Sequence, residues 1–258
     1  MEETATREEA RVRVLVIPDV HLRHWMFDRA DKILAMGQAD RAISLGDLAD
    51  DWGEETNFGL YSRTLQRAVR FQKEHPDTLW ICGNHDYGYW HPDYGVRETG
   101  HSKLVEGEML TYLQELERKG GHQKVIYIVD NCVFSHAGLT KSWAKRQMML
   151  AAVPMAERNE NSLKIAANFA APAELWQEDS PIWVRPQYEH LEMYPEGKLQ
   201  VVGHTPVVEA GVKWGVLSTD TFSTYSDGAP IGNQRFVIVD TVTKDWTYAE
   251  EDNEHGDA

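Results

Sequence analysis

Residues 79–86, LWICGNHD, decide the fold: an apolar run stops at a glycine, and an amide, an imidazole and a carboxylate follow at once. Uninterrupted apolar residues are typical of a strand that is buried on both faces. In α/β proteins the reactive groups lie where such strands end. The stretch therefore predicts a buried strand with functional side chains at its carboxyl end.

Four other stretches repeat this design. Apolar runs end in PDVH at residues 18–21, in GDLAD at 46–50, in SHAGL at 135–139 and in GHTP at 203–206. Strands and helical segments alternate in the first half, which predicts right-handed βαβ units, whereas the last third alternates apolar and polar residues and predicts an antiparallel sheet. We expect an α/β (α+β) fold, a two-sheet β-sandwich flanked by helices.

The length and patterning predict a single domain over residues 1–258, with no composition break that would mark a linker. Residues 141–177 have helical periodicity interrupted by Pro154, which predicts two helices that form a cap beside the site. Residues 87–94, YGYWHPDY, are polar and contain a glycine, and we expect a loop there. The acidic end, about residues 250–258, is expected to be a disordered tail.

The composition narrows the class of protein. A net charge of −15 argues against nonspecific nucleic-acid binding, which depends on Lys and Arg. Cys82 and Cys132 lie inside apolar runs, so we expect buried free thiols and a reducing compartment. The sequence has no signal-peptide pattern and no run of 18 apolar residues, which predicts a cytoplasmic protein without a membrane segment.

Side chains suited to metal binding follow the five predicted strands. They are Asp19, His21, Asp47, Asn84, His136 and His204. This mixture of carboxylate, imidazole and amide oxygen favours a divalent first-row metal (Mn, Fe, Co, Ni or Zn) over calcium, which prefers oxygen ligands only. Clustered thiolates are missing from the sequence, which argues against a structural zinc site.

The spacing of these ligands predicts two ions. Residues i and i+2 of a strand lie on one side, so Asp19 and His21 can bind the same ion. Asp47 has two oxygens and can bridge to a second ion bound by the remaining three ligands. Two ions about 3.5–4 Å apart stabilise both the attacking and the leaving oxygen in phosphoryl transfer and acidify a water between them. The sequence therefore predicts hydrolysis of a phosphate ester by a metal-bridging hydroxide.

In their order along the chain, the five stretches resemble those of the calcineurin-like metallophosphoesterase superfamily, and more closely its phosphoprotein-phosphatase branch. The resemblance implies the sandwich fold and the ligand roles above, with manganese favoured. It implies that His85 protonates the leaving oxygen. Asp50 occupies the position of the acid that orients this histidine, and Asp86 is a second candidate. Because position 206 is Pro where many nuclease-like members have His, the first ion would complete its shell with water.

Departures from the family pattern bear on the substrate. Protein Ser/Thr phosphatases usually have Arg-Gly where Asp51 and Trp52 stand, and Glu where Asp86 stands, so one phosphate-binding cation is missing. Residues 182–185, IWVR, resemble a Trp-x-Arg stretch of bacterial phosphatases and diadenosine tetraphosphate hydrolases. Arg185 is then either a bidentate phosphate ligand, with Asn84 as a second substrate contact, or part of an ordinary surface ion pair.

Three functions follow as hypotheses. The first is a phosphatase for phosphomonoesters, with phosphoserine and phosphothreonine in proteins among its candidate substrates. The second is a nucleotide or dinucleoside polyphosphate hydrolase, in which aromatic residues at 87–94, Trp25 and Trp52 stack a nucleobase instead of packing loops. The third, a metal-free scaffold, conflicts with a complete ligand set. We expect the cap to influence selectivity.

Overall fold

The computed structural model describes residues 12–94 and 98–250, apart from the side chain of Tyr94. The predicted acidic tail therefore lies outside the described residues, except for Glu250. Eleven strands occur in the described part: β1 (Arg13–Ile17), β2 (Arg41–Ser44), β3 (Leu79–Ile81), β4 (Gln123–Lys124), β5 (Ile126–Val129), β6 (Cys132–Ser135), β7 (Leu199–Val202), β8 (Gly211–Lys213), β9 (Val216–Ser218), β10 (Val237–Asp240) and β11 (Trp246–Tyr248).

The strands form two mixed sheets. The first has the order β11-β10-β1-β2-β3-β4, in which β1 to β4 run parallel and β10 runs antiparallel to β1. The second has the order β5-β6-β7-β9-β8, in which β7 runs parallel to both β6 and β9. The carboxyl ends of β1, β2, β3, β6 and β7 carry the five stretches singled out above.

Alternating side chains fill the two sides of each sheet. Val14 and Val16 of β1 share a buried cluster with Phe134 of β6, while Leu15 points to the opposite face of its sheet. Val133, the neighbour of Phe134, likewise belongs to a separate cluster with the helices over the second sheet. Period-two alternation thus produces an apolar layer between the sheets and another on each outer face. The predicted sandwich flanked by helices is confirmed.

Helices cover the outer faces. The first sheet packs against α1 (Trp25–Ala35), α2 (Phe58–Glu74) and α4 (Glu106–Arg118), whereas α3 (Asn84–Trp90) follows β3 directly. Over the second sheet lie α5 (Lys141–Leu150), α6 (Glu160–Asn168) and the single-turn α7 (Pro172–Leu175). The predicted cap segment is therefore helical, with one short helix more than expected. Trp143 of α5 is fully buried, and its indole donates to the carbonyl of Glu174 at 2.9 Å.

The last third of the chain does not form an antiparallel sheet of its own, so that expectation was wrong. β7 lies between two parallel neighbours, and β10 and β11 join the first sheet. All four residues of β7 and all four of β10 are buried, as in central strands. A local apolar pattern reports burial, but it does not identify the partner strand, because that partner is set by the path of the whole chain.

The expected loop at residues 87–94 was also wrong. Its first part is helical, in α3, and a 3₁₀ turn follows at Pro92–Tyr94. The carboxylate of Asp86 accepts from the backbone N–H of Gly83 at 3.1 Å and so caps the first turn. Tyr87 and Tyr89 are buried, and their packing outweighs the helix-destabilising effect of Gly88.

Two further expectations concern thiols and membranes. Cys82 and Cys132 are free and buried, as predicted. Within residues 12–94 and 98–250, every helix is too short or too polar to pass through a bilayer.

Candidate metal centre and active site

All six predicted ligands meet at one end of the sandwich. On one side of the centre, His136 Nε2 lies 2.9 Å from Asn84 Oδ1, 3.1 Å from His204 Nδ1 and 3.3 Å from Asp47 Oδ2. Asp47, His136 and His204 are all buried. The loops after β2, β3, β6 and β7 thus bring together the residues expected to hold a second ion.

The other side of the centre is built by the loops after β1 and β2. His21 Nε2 lies 3.8 Å from Asp47 Oδ2, and ligand atoms of His21, Asp47 and His85 lie within 4.8 Å of one another. Asp19 is buried, and His136 Nε2 lies 4.0 Å from its Oδ1. Asp47 therefore belongs to both groups, as a bridging carboxylate would.

Hydrogen bonds fix which ring nitrogen faces the centre. His21 Nδ1 lies 2.8 Å from the carbonyl oxygen of Asp50, and His136 Nδ1 lies 2.8 Å from that of Leu45. A carbonyl only accepts, so each Nδ1 carries the proton and each Nε2 presents its lone pair to the centre. In His204 the pattern is reversed: Nε2 donates to the carbonyl of Trp183 at 3.2 Å, and Nδ1 faces His136.

When these rings are neutral, electron-rich atoms converge without a hydrogen-bond donor between them. Two imidazole lone pairs, the amide oxygen of Asn84 and the carboxylate of Asp47 surround one point, and such a set requires a cation. Burial lowers the pKa of His136, but Asp47 and Asp19 outweigh it and raise that pKa to about 9, so this position favours a positive charge, supplied either by a proton on His136 or by a metal ion. Burial, His136 and Arg185 lower the pKa of His204, which keeps this ring neutral. The residues present fit divalent metal ions.

The backbone approaches this centre closely at two glycines. A Cβ on Gly83 would lie 2.0 Å from Oδ1 of Asp47, and a Cβ on Gly203 would lie 2.1 Å from Oδ2 of Asp19. Each carboxylate thus occupies the space that a side chain would take. Four site residues also have left-handed backbone conformations, with φ of 40°, 50°, 63° and 61° at His21, Asp47, Asp50 and His204.

His85 stands beside the metal centre and contacts Asp50. Its Nδ1 lies 3.0 Å from Oδ2 of Asp50, whose side chain is fully buried. The carboxylate fixes the proton on Nδ1 and leaves Nε2 for the substrate. Burial lowers the pKa of His85, but Asp47 and Asp50 outweigh it and raise that pKa to about 9.

Asp86, the second candidate for orienting His85, contacts backbone amides instead. Its oxygens accept from the N–H groups of Asp47 at 2.7 Å, Leu48 at 2.8 Å and Gly83 at 3.1 Å. Burial and the nearby Asp47 raise the pKa of Asp86 to about 7. The Asp86 carboxylate thus joins the loop after β2 to the start of α3.

Arg185 lies against the loop that carries His204. Its Nη1 donates to Oγ1 of Thr205 at 3.1 Å and approaches the carbonyl of His204 at 3.3 Å. Among the described residues no carboxylate forms an ion pair with Arg185 within 4.0 Å, so its remaining N–H groups are available to an anionic ligand.

The aromatic residues considered for base stacking take different positions. Tyr87 and Tyr89 are buried in the fold, and Trp25 packs against the core near Phe222, with ring centroids 6.0 Å apart. Trp52 is 51% exposed. Packing therefore accounts for most of this group.

Two acidic residues near the centre were not foreseen. Asp220 is buried and raises the pKa of Asp19, after burial itself, which is the larger cause. It follows β9 by two residues, so the rule of polar residues after buried strands could have found it. Glu98 accepts a hydrogen bond from Asn84, and burial raises its pKa. Glu98 lies in a polar connection with no pattern that marks it.

Comparisons with known proteins agree with this geometry. Residues 12–231 match the family model for calcineurin-like phosphoesterases, whereas the comparison with curated proteins gave no match. The cold-active protein-tyrosine phosphatase of a psychrophile, Shewanella sp., is similar in fold, with a TM-score of 0.53 and 15% identity over 93% of this chain and 80% of that one. A protein serine/threonine phosphatase from Saccharomyces cerevisiae with similarity to human phosphatase PP5 is also similar in fold. Its TM-score is 0.51, with 14% identity over 95% of this chain and 82% of that one. Since the family model spans most of the sequence, the chain belongs to the calcineurin-like phosphoesterase family.

Proposed function

We propose that this chain is a metal-dependent phosphatase that hydrolyses phosphomonoesters, including phosphoserine and phosphothreonine in proteins. The observation that carries the proposal is the convergence of electron-rich ligands beside a histidine whose proton position is fixed by a carboxylate. A phosphatase needs both parts, because the phosphoryl group and the leaving oxygen develop charge at the same time.

Asp19, His21 and Asp47 would hold one divalent ion, and the second would be held by Asp47 together with Asn84, His136 and His204. Manganese is the leading candidate for both sites. Bound here, such ions would neutralise phosphoryl oxygens and acidify a water molecule. The protein fixes this arrangement in advance, since carbonyl groups hold the proton of each ligating imidazole on the nitrogen that faces away.

His85 acts as the general acid. Its Nδ1–H is held by Asp50, and its Nε2–H donates a proton to the leaving oxygen as the bond from phosphorus to that oxygen breaks. The electron pair of the broken bond stays on the leaving oxygen and accepts the proton, so the alcohol departs neutral. General acids of this kind contribute about 100-fold to 10,000-fold to the rate.

Arg185 and Asn84 bind the substrate phosphate. Arg185 is in place beside the loop of His204, and its free N–H groups can donate two parallel bonds to phosphoryl oxygens. This contact would supply a cation in place of the arginine that protein phosphatases have where Asp51 stands.

A second candidate is hydrolysis of dinucleoside polyphosphates. It is favoured by the rings of Trp176 and Trp183, 5.7 Å apart, of which Trp183 lies 5.9 Å from the ring of His204. Both rings are half-buried, and a base could stack on an exposed edge of this pair.

The proposal is tested with wild-type protein and His85→Asn, both supplied with manganese. Turnover is measured on p-nitrophenyl phosphate, its bis-ester, a phosphoserine peptide and diadenosine tetraphosphate. We expect the peptide to be hydrolysed best and the variant to lose that activity. Preference for the dinucleotide would favour the second function. Silence on all four substrates would contradict both enzymatic proposals and support a scaffold.

A further inference from the structure

Two buried tyrosines converge on the acid that holds His85. Tyr61 of α2 donates its O–H to Oδ1 of Asp50 at 2.8 Å, and Tyr89 of α3 donates to the same oxygen at 2.5 Å. Both side chains are buried, at 0% and 1% exposure. Oδ1 of Asp50 thus accepts hydrogen bonds from both tyrosines, while Oδ2 faces His85.

The hydrogen-bond count at Tyr89 determines the direction of its bond. A phenol has one proton, and the hydroxyl of Tyr89 already accepts from the backbone N–H of Ser102 at 3.0 Å. A carboxylate oxygen only accepts, so the single proton of Tyr89 is given to Asp50. The ring is held in place by stacking on His101, with centroids 4.3 Å apart and planes 21° from parallel.

Tyr61 is the weaker of the two donors. Its hydroxyl lies 2.8 Å from Asp50 but also 3.3 Å from the carbonyl of Gly100, so its proton has a second acceptor. Burial and the charge of Asp50 raise the pKa of both phenols, so both remain protonated donors.

We propose that Tyr61 and Tyr89 are positioning residues for proton delivery: they hold the carboxylate of Asp50 in the one orientation that keeps the proton of His85 on Nδ1 and aims Nε2 at the leaving oxygen. The proposal rests on the proposed function and extends it to two residues on different helices. The backbone of Asp50 has φ of 63°, and its carbonyl oxygen accepts from His21. One residue therefore connects the acid to the metal centre.

A purely structural role makes a different prediction. Phenylalanine keeps the ring and removes only the hydroxyl, so a structural role would lower stability and affect all esters equally. A positioning role depends on the leaving group. Nitrophenolate is a stable anion that departs without a proton, whereas the alkoxide of serine requires one.

The experiment compares Tyr89→Phe, Tyr61→Phe and His85→Asn, all loaded with manganese, on p-nitrophenyl phosphate and a phosphoserine peptide. For Tyr89→Phe we expect kcat to fall about tenfold or more on the peptide and less than about threefold on the nitrophenyl ester. The effect of Tyr61→Phe should have the same pattern and be smaller. Adding Tyr89→Phe to His85→Asn should cause no further loss on the peptide.

The matched control is Tyr127→Phe on β5. It removes a hydroxyl that donates to the carbonyl of His122 at 3.0 Å. This variant should keep the wild-type ratio of the two activities. A second readout needs no turnover and uses protein loaded with diamagnetic zinc, because manganese would broaden nearby signals: the Nδ1–H proton of His85 should give a downfield NMR signal in wild type that loses intensity in Tyr89→Phe. If Tyr89→Phe is too unstable to assay, Tyr61→Phe and its NMR signal decide the question.

The outcomes separate the two proposals. Equal losses on both esters, or no loss at all, in the tyrosine variants would overturn this inference while leaving His85 as the acid. If His85→Asn retains wild-type turnover of the peptide, the proposed function itself fails.

Discussion

Substitution of alanine for Gly203 should weaken metal binding without unfolding the protein. The new Cβ would lie 2.1 Å from Oδ2 of Asp19, and ordinary contacts begin at 3.4 Å, so this oxygen must move by about 1.3 Å, the difference of the two distances. The nearest other atom is Cγ of the same carboxylate at 3.2 Å. Gly203 is not among the residues with a positive φ, so alanine fits its backbone.

The displacement is large on the scale of metal coordination. Ligand distances hold to within about 0.2 Å, so the shift takes Asp19 out of the shell of the first ion. Disturbing the surroundings of a ligand weakens binding by about 10-fold to 100-fold. Metal at 100 times its Kd stabilises the wild type by about 2.7 kcal/mol, and this falls to about 0.4–1.4 kcal/mol in the variant.

The assay is thermal unfolding with and without manganese, combined with a count of metal ions per chain. For a chain of this size the wild type should gain about 5–10 °C from one ion and Gly203→Ala about 1–5 °C. The control is Gly107→Ala in α4, where a Cβ meets nothing within 4 Å. It should respond to manganese as the wild type does, with only a small gain in stability, because Gly107 is the second residue of α4 and not in its interior. Full metal content and a wild-type response in Gly203→Ala would refute the reasoning.

Two further predictions concern stability. Asp86→Asn leaves one carbonyl oxygen for three backbone N–H donors and should destabilise the protein by about 2–4 kcal/mol in urea unfolding; an unchanged midpoint would contradict the role of this carboxylate. Hydrogen bonds from Arg146 lower the pKa of Asp179. These bonds therefore stabilise the folded protein fully above pH about 3.9, the ordinary pKa of an aspartate, and this stabilisation is lost as the pH falls through the lowered pKa. Asp179→Asn should therefore be less stable than wild type at pH 6, and this difference should disappear in acid; a difference that persists there would exclude the ionic contribution.

The site was predictable to the extent that its groups lie next to strands in the sequence. His21, Asn84 and His136 each follow a buried apolar run, and the parallel strands bring their ends together. Tyr61 and Glu98 have no such signal. Tyr61 occupies an inward position of an amphipathic helix, where its ring is typical of a core residue, and only the tertiary structure shows that its hydroxyl reaches Asp50.

The fold shows the same division between local and long-range information. Burial of β7 was visible in its apolar residues, whereas the alternation around β10 predicts one exposed face; the partners of both strands were not visible, since pairing depends on how distant segments meet. The helix after Gly83 was missed because its stability comes from a capping carboxylate and from buried tyrosines rather than from helix propensity.

The left-handed conformations of His21, Asp47, Asp50 and His204 have a consequence for protein engineering. Side chains with a Cβ occupy this region at a cost of about 1–2 kcal/mol per residue, which glycine largely avoids. In the absence of metal, glycine at the ligands His21, Asp47 and His204 would relieve this strain and remove the chemistry; with manganese bound, loss of a ligand would forfeit up to about 2.7 kcal/mol of metal-linked stability, more than the backbone gains. At Asp50, glycine would leave the hydroxyls of Tyr61 and Tyr89 without their acceptor. Without metal, selection for a more robust scaffold therefore leads away from the enzyme, so a screen has to include manganese or select for turnover as well.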